Sequence, residues 1–162
     1  ANYGLNINLS YKGFSFSTLF QGATRFDMYL GSVLMMSDAN TGSSPTYEFQ
    51  TDYWTPENTD AKFPRLLSST GNNGSNNTVG SDFWLINGGY LRMRDIQVGY
   101  DFKRILLKKT SWITRLNVAL SGQNIFTISE ATKYGIDPEN GSANRYDYPN
   151  ERVFAINFGI GF

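Results

Sequence analysis

Wherever this sequence has a period, the period is two. In Tyr3, Leu5, Ile7, Leu9 and Tyr11 the odd positions are apolar, and Asn2, Gly4, Asn6, Asn8 and Ser10 lie between them. Such alternation predicts a strand with one apolar face. Lys12-Gly13 is a tight-turn signal. Beyond it Phe14, Phe16 and Phe20 share one parity and Ser15, Ser17 and Gln21 the other, with Leu19 out of step. A third strand is predicted from Tyr90 to Phe102, with Ile96, Val98, Tyr100 and Phe102 in phase. A fourth runs from Ile113 to Phe126 and sets Leu116, Val118 and Leu120 against Arg115, Asn117, Ser121 and Gln123. The fifth is the clearest: Phe154, Ile156, Phe158, Ile160 and Phe162 alternate with Ala155, Asn157, Gly159 and Gly161.

The connections alternate between short and long. Tyr11 to Phe14 and Phe102 to Ile113 are short; Gln21 to Tyr90 and Phe126 to Phe154 are long and rich in Ser, Thr, Asn, Gly and Pro. Long structureless connections are uncommon in compact domains and are usually functional. One-sided alternation fits a soluble sandwich, whose apolar faces pack together, or an outer-membrane barrel, whose apolar face meets lipid around a wet lumen. Three features favour the barrel. Strands of roughly ten residues match a tilted bilayer crossing. Short and long connections alternate as periplasmic and external ends must. Tyr11, Phe14, Tyr100, Phe102, Trp112 and Phe162 fall at the short-turn end, where an aromatic girdle belongs.

Charge placement agrees, because Arg115 shares parity with Asn117 and Gln123 on the lumen side. Arg92 and Arg94, however, share parity with Ile96 and Val98, while Leu91 and Met93 are out of phase. This predicts a β-bulge near Arg94-Asp95, or a half-strand above the membrane. Five strands cannot close a barrel, since bacterial barrels start at eight. Residues 1–10 would also leave a long unpaired edge. Residues 1–162 are therefore expected to be the carboxyl-terminal part of a larger barrel, or to meet the remainder as another chain. The opening residues have neither the basic start nor the apolar core of a secretory signal, so the chain is expected to begin mid-fold.

Composition narrows the chemistry. The 162 residues carry 14 basic and 14 acidic side chains, with 40% hydrophobic and 15% aromatic content. That excludes a disordered chain, and a zero net charge excludes a phosphate-backbone binder, so no nucleic-acid partner is expected. There is no Cys and no His. Disulfides, thiolate zinc sites and the commonest general base are thereby removed. No metal, cofactor or catalytic residue is assigned. No run of eighteen apolar residues occurs, which rules out a transmembrane helix by length.

Several segments resemble the SusC/RagA family of TonB-dependent outer-membrane transporters. They are Thr51-Asp52-Tyr53-Trp54-Thr55-Pro56-Glu57-Asn58, Ala61-Lys62-Phe63-Pro64-Arg65 and Ser81-Asp82-Phe83-Trp84-Leu85, then Gly89-Tyr90-Leu91-Arg92-Met93-Arg94-Asp95-Ile96 through Gly99-Tyr100. Ser121-Gly122-Gln123-Asn124-Ile125-Phe126, Tyr134-Gly135-Ile136-Asp137-Pro138-Glu139, Tyr148-Pro149 and the strand to Phe162 complete the run, in family order. The resemblance implies an all-β fold: the last five antiparallel strands of a transmembrane β-barrel of about 22 strands, with two long extracellular loops. It also implies an amino-terminal plug and a TonB-contacting segment, neither of which matches anything in these residues. A SusD-like surface lipoprotein would help capture oligosaccharides or peptides, in a dimer of transporter–lipoprotein pairs. Import would be driven by the TonB complex across a Gram-negative outer membrane.

Candidate roles follow. Tyr53, Trp54, Phe83 and Trp84 can stack on a sugar or contact the lipoprotein, or pack the long loop onto the barrel rim. Arg92, Arg94, Arg115 and Arg145 can bind anionic substrate groups, or join lumen ion pairs with Asp95, Asp101 or Glu139. Lys103, Arg104, Lys108 and Lys109 read as a solvated periplasmic turn. Asp137 and Glu139 could be part of a calcium site or a glycosidase pair, but Pro138 and Gly141 favour a turn with solvated acids. Phe158, Ile160 and Phe162 match the terminal signal read by barrel-assembly machinery, as well as a simple lipid-facing strand end. The rival to the transporter is a soluble carbohydrate-binding sandwich, which would bury Phe154, Phe158 and Phe162.

Overall fold

A computed structural model describes residues 1–30, 51–65, 79–103, 112–140 and 150–162. Arg104, Lys108, Lys109, Arg145 and the Asn-rich run 72–77 lie outside the described residues. In chain order the strands are β1 (Asn2–Tyr11), β2 (Phe14–Ala23), β3 (Asp27–Tyr29), β4 (Leu85–Asn87), β5 (Tyr90–Asp101), β6 (Arg115–Ser129) and β7 (Val153–Gly161). The chain divides into two compact units. One comprises Ala1–Thr24, Tyr90–Ile128 and Asn150–Phe162; the other, Arg25–Gly89 and Ser129–Pro149. No helix among the described residues is long and apolar enough to cross a membrane.

The first unit is one five-stranded sheet in the order β1-β2-β5-β6-β7. The five predicted strands are all present. Their bounds shift only slightly: the fourth begins at Arg115 rather than Ile113 and runs on to Ser129. At the Lys12-Gly13 turn both residues have positive φ, 48° and 96°. That geometry suits the right-handed twist of a two-residue hairpin. Tyr11 pairs with Phe14 across it, and the ladder runs unbroken to Asn2 opposite Ala23.

Register decides which side chains share a face, because a slip of one residue inverts the whole set. From Phe14 opposite Tyr100 to Leu19 opposite Asp95 the β2–β5 ladder is regular; then Phe20 pairs with Met93. Arg94 is the extra residue, a β-bulge at the predicted position. Beyond it Gln21 faces Arg92 and Gly22 faces Leu91. Met93 and Leu91 thus rejoin the apolar face and Arg92 the polar one, which removes the misfit in the sequence. Thr18, at the bulge, donates its hydroxyl to the Asp95 carbonyl at 3.0 Å. A bulge interrupts the ladder, and here a side chain supplies a donor from the apolar face.

On β6 and β7 the same sorting holds. Leu116 faces Ile160, Val118 faces Phe158 and Leu120 faces Ile156; Asn117, Ala119 and Ser121 face Gly159, Asn157 and Ala155. Among the described residues the apolar face carries no second protein layer: Phe154, Phe158 and Phe162 are 72%, 74% and 82% exposed. Aromatics gather at the Lys12-Gly13 end. Phe14 and Tyr100 lie 4.4 Å apart, Tyr100 and Phe102 4.9 Å, and Trp112 stacks on Phe162 at 6.2 Å. At the opposite end of β1, the Tyr3 hydroxyl passes over β2 to the Tyr90 carbonyl at 2.8 Å. Only glycine fits beneath it, since a Cβ on Gly22 would collide with both groups.

The second unit is built from the two long connections, which share one core rather than forming separate loops. β3 and β4 pair antiparallel, Met28 opposite Ile86. Met28, Leu30, Phe63, Trp84, Ile86, Ala131 and Tyr134 are buried together, with Phe26, Tyr53 and Ile136 packed against them. Ala131 and Tyr134 come from a 3-10 turn in the second connection, and the Glu130 carboxylate accepts from the Asn87 amide at 3.2 Å. Strands of three residues are too short to show a period, which is why the alternation leaves them unpredicted.

Two outcomes follow. Thr18→Val strips a donor from the Asp95 carbonyl and should cost about 1–3 kcal/mol, while Thr18→Ser should restore most of it. The check is the denaturant midpoint of unfolding. Trp84→Ala should cost about 3–5 kcal/mol locally and speed hydrogen exchange at the Leu30 amide, which donates to the Trp84 carbonyl at 2.8 Å. The amides of β6 and β7 should keep their protection.

Candidate functional site

The polar face of the sheet carries the first group of candidates. The bulge turns Arg92 onto this face, where it is 2% exposed. Its Nε donates to the Thr127 hydroxyl at 2.8 Å, and its guanidinium lies 5.9 Å from the Tyr90 ring centroid. A buried arginine has to be held by partners, and these tie β5 to β6. Arg94 reaches Asn124 Oδ1 at 3.5 Å, and Asn124 Nδ2 donates to the Glu151 carbonyl at 3.0 Å. Asn124 has φ of 52° inside a strand, a conformation Asn tolerates better than most residues. Arg115 is exposed on the same face, opposite Gly161. Lys103 donates its amide to Asp101 Oδ1 at 2.9 Å.

On the apolar face Phe158 and Ile160 belong to edge strand β7, opposite Val118 and Leu116, with Phe162 one residue beyond. All three side chains are open to solvent.

The second unit brings the loop aromatics together, in unequal roles. Trp84 is 2% exposed and belongs to the core, and Tyr53 is half-buried against it. Trp54 and Phe83 are exposed. Phe83 stands edge-on to Trp84 at 4.8 Å and to Phe63 at 6.3 Å. They line a cleft of ≈ 590 Å³ with Lys62, Phe63, Arg65 and Trp84. The loop around it is locally braced. The Asp52 carboxylate accepts from the Lys62 amide at 3.3 Å and from Asn58 Nδ2 at 3.4 Å, while the Trp54 amide donates to the Phe63 carbonyl at 3.0 Å and the Phe63 amide to the Asp52 carbonyl at 3.1 Å.

Lys62 and Arg65 were not singled out by sequence reasoning. Their only signal is a cation on either side of Phe63-Pro64, within a segment otherwise read for its family likeness. The Lys62 ammonium donates to the Tyr134 hydroxyl at 2.7 Å and sits 5.5 and 5.2 Å from the Phe63 and Tyr134 ring centroids. Asp137 adopts the turn expected of it, its carboxylate accepting from the Glu139 amide at 2.9 Å. Among the described residues no cluster of His, Cys, Asp and Glu could hold a metal ion.

Comparison with known proteins bears on this geometry. No family model matches the chain. Three curated relatives from Formosa agariphila are named TonB-dependent receptors: P3 at 24% identity over 172 residues, P39 at 29% over 172 and P26 at 24% over 173. The alignments cover 98%, 98% and 99% of this chain and 16%, 16% and 17% of the relatives. The chain thus spans about one sixth of their length. Among solved structures, the RagAB peptide transporter matches with a TM-score of 0.67 at 20% identity, over 97% of this chain and 16% of that one. The RagAB importer in its closed-closed state matches with the same score over 98% and 16%. From end to end, then, this chain is similar in sequence to a segment of TonB-dependent receptors and shares its fold with part of a SusC/RagA-type transporter.

Proposed function

We propose that residues 1–162 form the carboxyl-terminal wall of a SusC/RagA-type transporter that imports nutrients across a Gram-negative outer membrane. One observation carries this reading. Every described residue on one face of β1, β2, β5, β6 and β7 is uncharged, from Tyr3 through Phe20, Met93 and Val118 to Ile160, and that face lies open. Monomeric soluble proteins rarely leave so large an apolar patch uncovered. Acyl chains are the solvent that suits it. A soluble sandwich would bury Phe154, Phe158 and Phe162, which are instead the most exposed large apolar side chains among the described residues.

The remaining parts follow from the same reading. The free edges of β1 and β7 pair with the rest of a barrel of about 22 strands, because lipid supplies no partner for an unpaired backbone. The polar face, with Arg92, Arg94 and Arg115, lines the import path. The two long connections are extracellular loops, in which Trp54 and Phe83 meet ligand or a SusD-like lipoprotein. The ligand is an oligosaccharide or a peptide; the solved neighbours are peptide transporters by name. The plug and the TonB-contacting segment belong to the remainder of the receptor, and the assembly is a dimer of transporter–lipoprotein pairs. Phe158, Ile160 and Phe162 are the strand read by the barrel-assembly machinery. The chain makes no covalent chemistry of its own.

Fractionation of cells expressing the full receptor tests the placement: recovery in the outer membrane, released only by detergent, is expected, and recovery in the soluble fraction overturns it. Face by face, Phe158→Arg should lower the stability of the lipid-embedded receptor by about 2–4 kcal/mol, read from its unfolding midpoint in phospholipid vesicles. Asn157→Arg, one residue away on the lumen face, should cost far less. Equal effects would mean that lipid does not meet the Phe158 side.

A further inference from the structure

We infer that the cleft beneath Trp54 and Phe83 is a carboxylate-binding site. It receives a carboxylate of the imported ligand between Lys62 and Arg65, with the adjoining ring or chain lying on the exposed aromatics. This rests on the transporter reading and deepens it by naming the ligand chemistry.

Three features of the cleft converge. The first is charge: Lys62 and Arg65 are the only charged residues lining it among the described residues, and both are exposed. The neighbouring Asp52 carboxylate is not part of the lining and is engaged by the Lys62 amide and Asn58. The second is preorganisation. An ammonium has three donors; Tyr134 accepts one at 2.7 Å, and the rings of Phe63 and Tyr134 flank the cation. A lysine so held gives up little further freedom on binding, so less of the interaction is lost to ordering. Arg65 adds a second positive charge to the lining of the same cleft. The third is the wall. Trp54 and Phe83 expose aromatic faces at the same cleft, a surface suited to the flat side of a sugar ring or an apolar peptide group. Cations and ring faces together select an anion carried on an apolar or ring-shaped body, which neither alone would do.

Two ligands carry that chemistry: a uronic-acid oligosaccharide and the free carboxyl terminus of a peptide. Calorimetry on the full receptor in detergent separates them with paired probes. One pair is trigalacturonate and its carboxyl-reduced counterpart. The other is a heptapeptide without acidic side chains, with a free or an amidated terminus. The carboxylate member of one pair should bind about tenfold or more tightly than its neutral twin, the scale of one charge-assisted hydrogen bond, and that pair identifies the source. Lys62→Gln and Arg65→Gln should each remove most of this preference while leaving the receptor's heat-modifiable gel mobility unchanged. Equal binding within both pairs, binding of neither carboxylate, or full preference retained in both variants overturns the proposal. Outer-membrane recovery is scored on the same preparations, so a failed ligand assignment in a correctly localised receptor is distinguished from a failed transporter reading.

Discussion

The sheet depends on a single inserted residue. Arg94 bulges out of the β2–β5 ladder, and because side chains alternate with a period of two, that insertion inverts every later position on β5. Without it, Arg92 would project from the same face as Phe20 and Gln21 would face Met93. With it, Leu91 and Met93 complete an apolar surface that runs from β1 to β7. The Thr18 hydroxyl at the Asp95 carbonyl and the Asn124 bond to Arg94 brace the two sides of the distortion. Polar groups are thereby satisfied on both faces at the point where the ladder breaks.

The two faces then take different neighbours. An apolar face with no covering layer needs a solvent of its own kind, and the aromatics at the Lys12-Gly13 end suit the boundary of such a solvent, where amphipathic rings are most stable. The polar face is laid out with small residues: Gly159, Ala155 and Ser121 leave room beside Asn117 and Asn157. Buried Arg92 donates its Nε–H to Thr127 on β6 and so braces adjoining strands.

The long connections solve a separate problem. Met28 and Leu30 from one stretch, Phe63, Trp84 and Ile86 from further along, and Ala131 and Tyr134 from the other connection share one core. Phe83 and Trp84 are consecutive in a 3-10 turn (Asp82–Trp84), so with Trp84 buried Phe83 stands at the surface, as Trp54 does on its own loop. The aromatic run thus divides into a packing half and an exposed half, and the exposed half shares its cleft with Lys62 and Arg65.

Residue alternation determined the five long strands and the identity of each face, Lys12-Gly13 marked the tight turn, and the misfit at Arg92 and Arg94 left two readings from which the register selected the bulge. The strands and their faces are local consequences of a period-two backbone. The segments quoted for the family likeness likewise pointed to TonB-dependent receptors, and the relatives agree. Tertiary structure decided what no period records: that the two long connections share a core, that Trp84 is buried while Trp54 is not, and that Lys62 reaches Tyr134. Those contacts join residues far apart in the chain, and short strands such as β3 and β4 owe their existence to them. A pattern in the sequence reports how a side chain points from its own backbone; only the fold reports what waits on the other side.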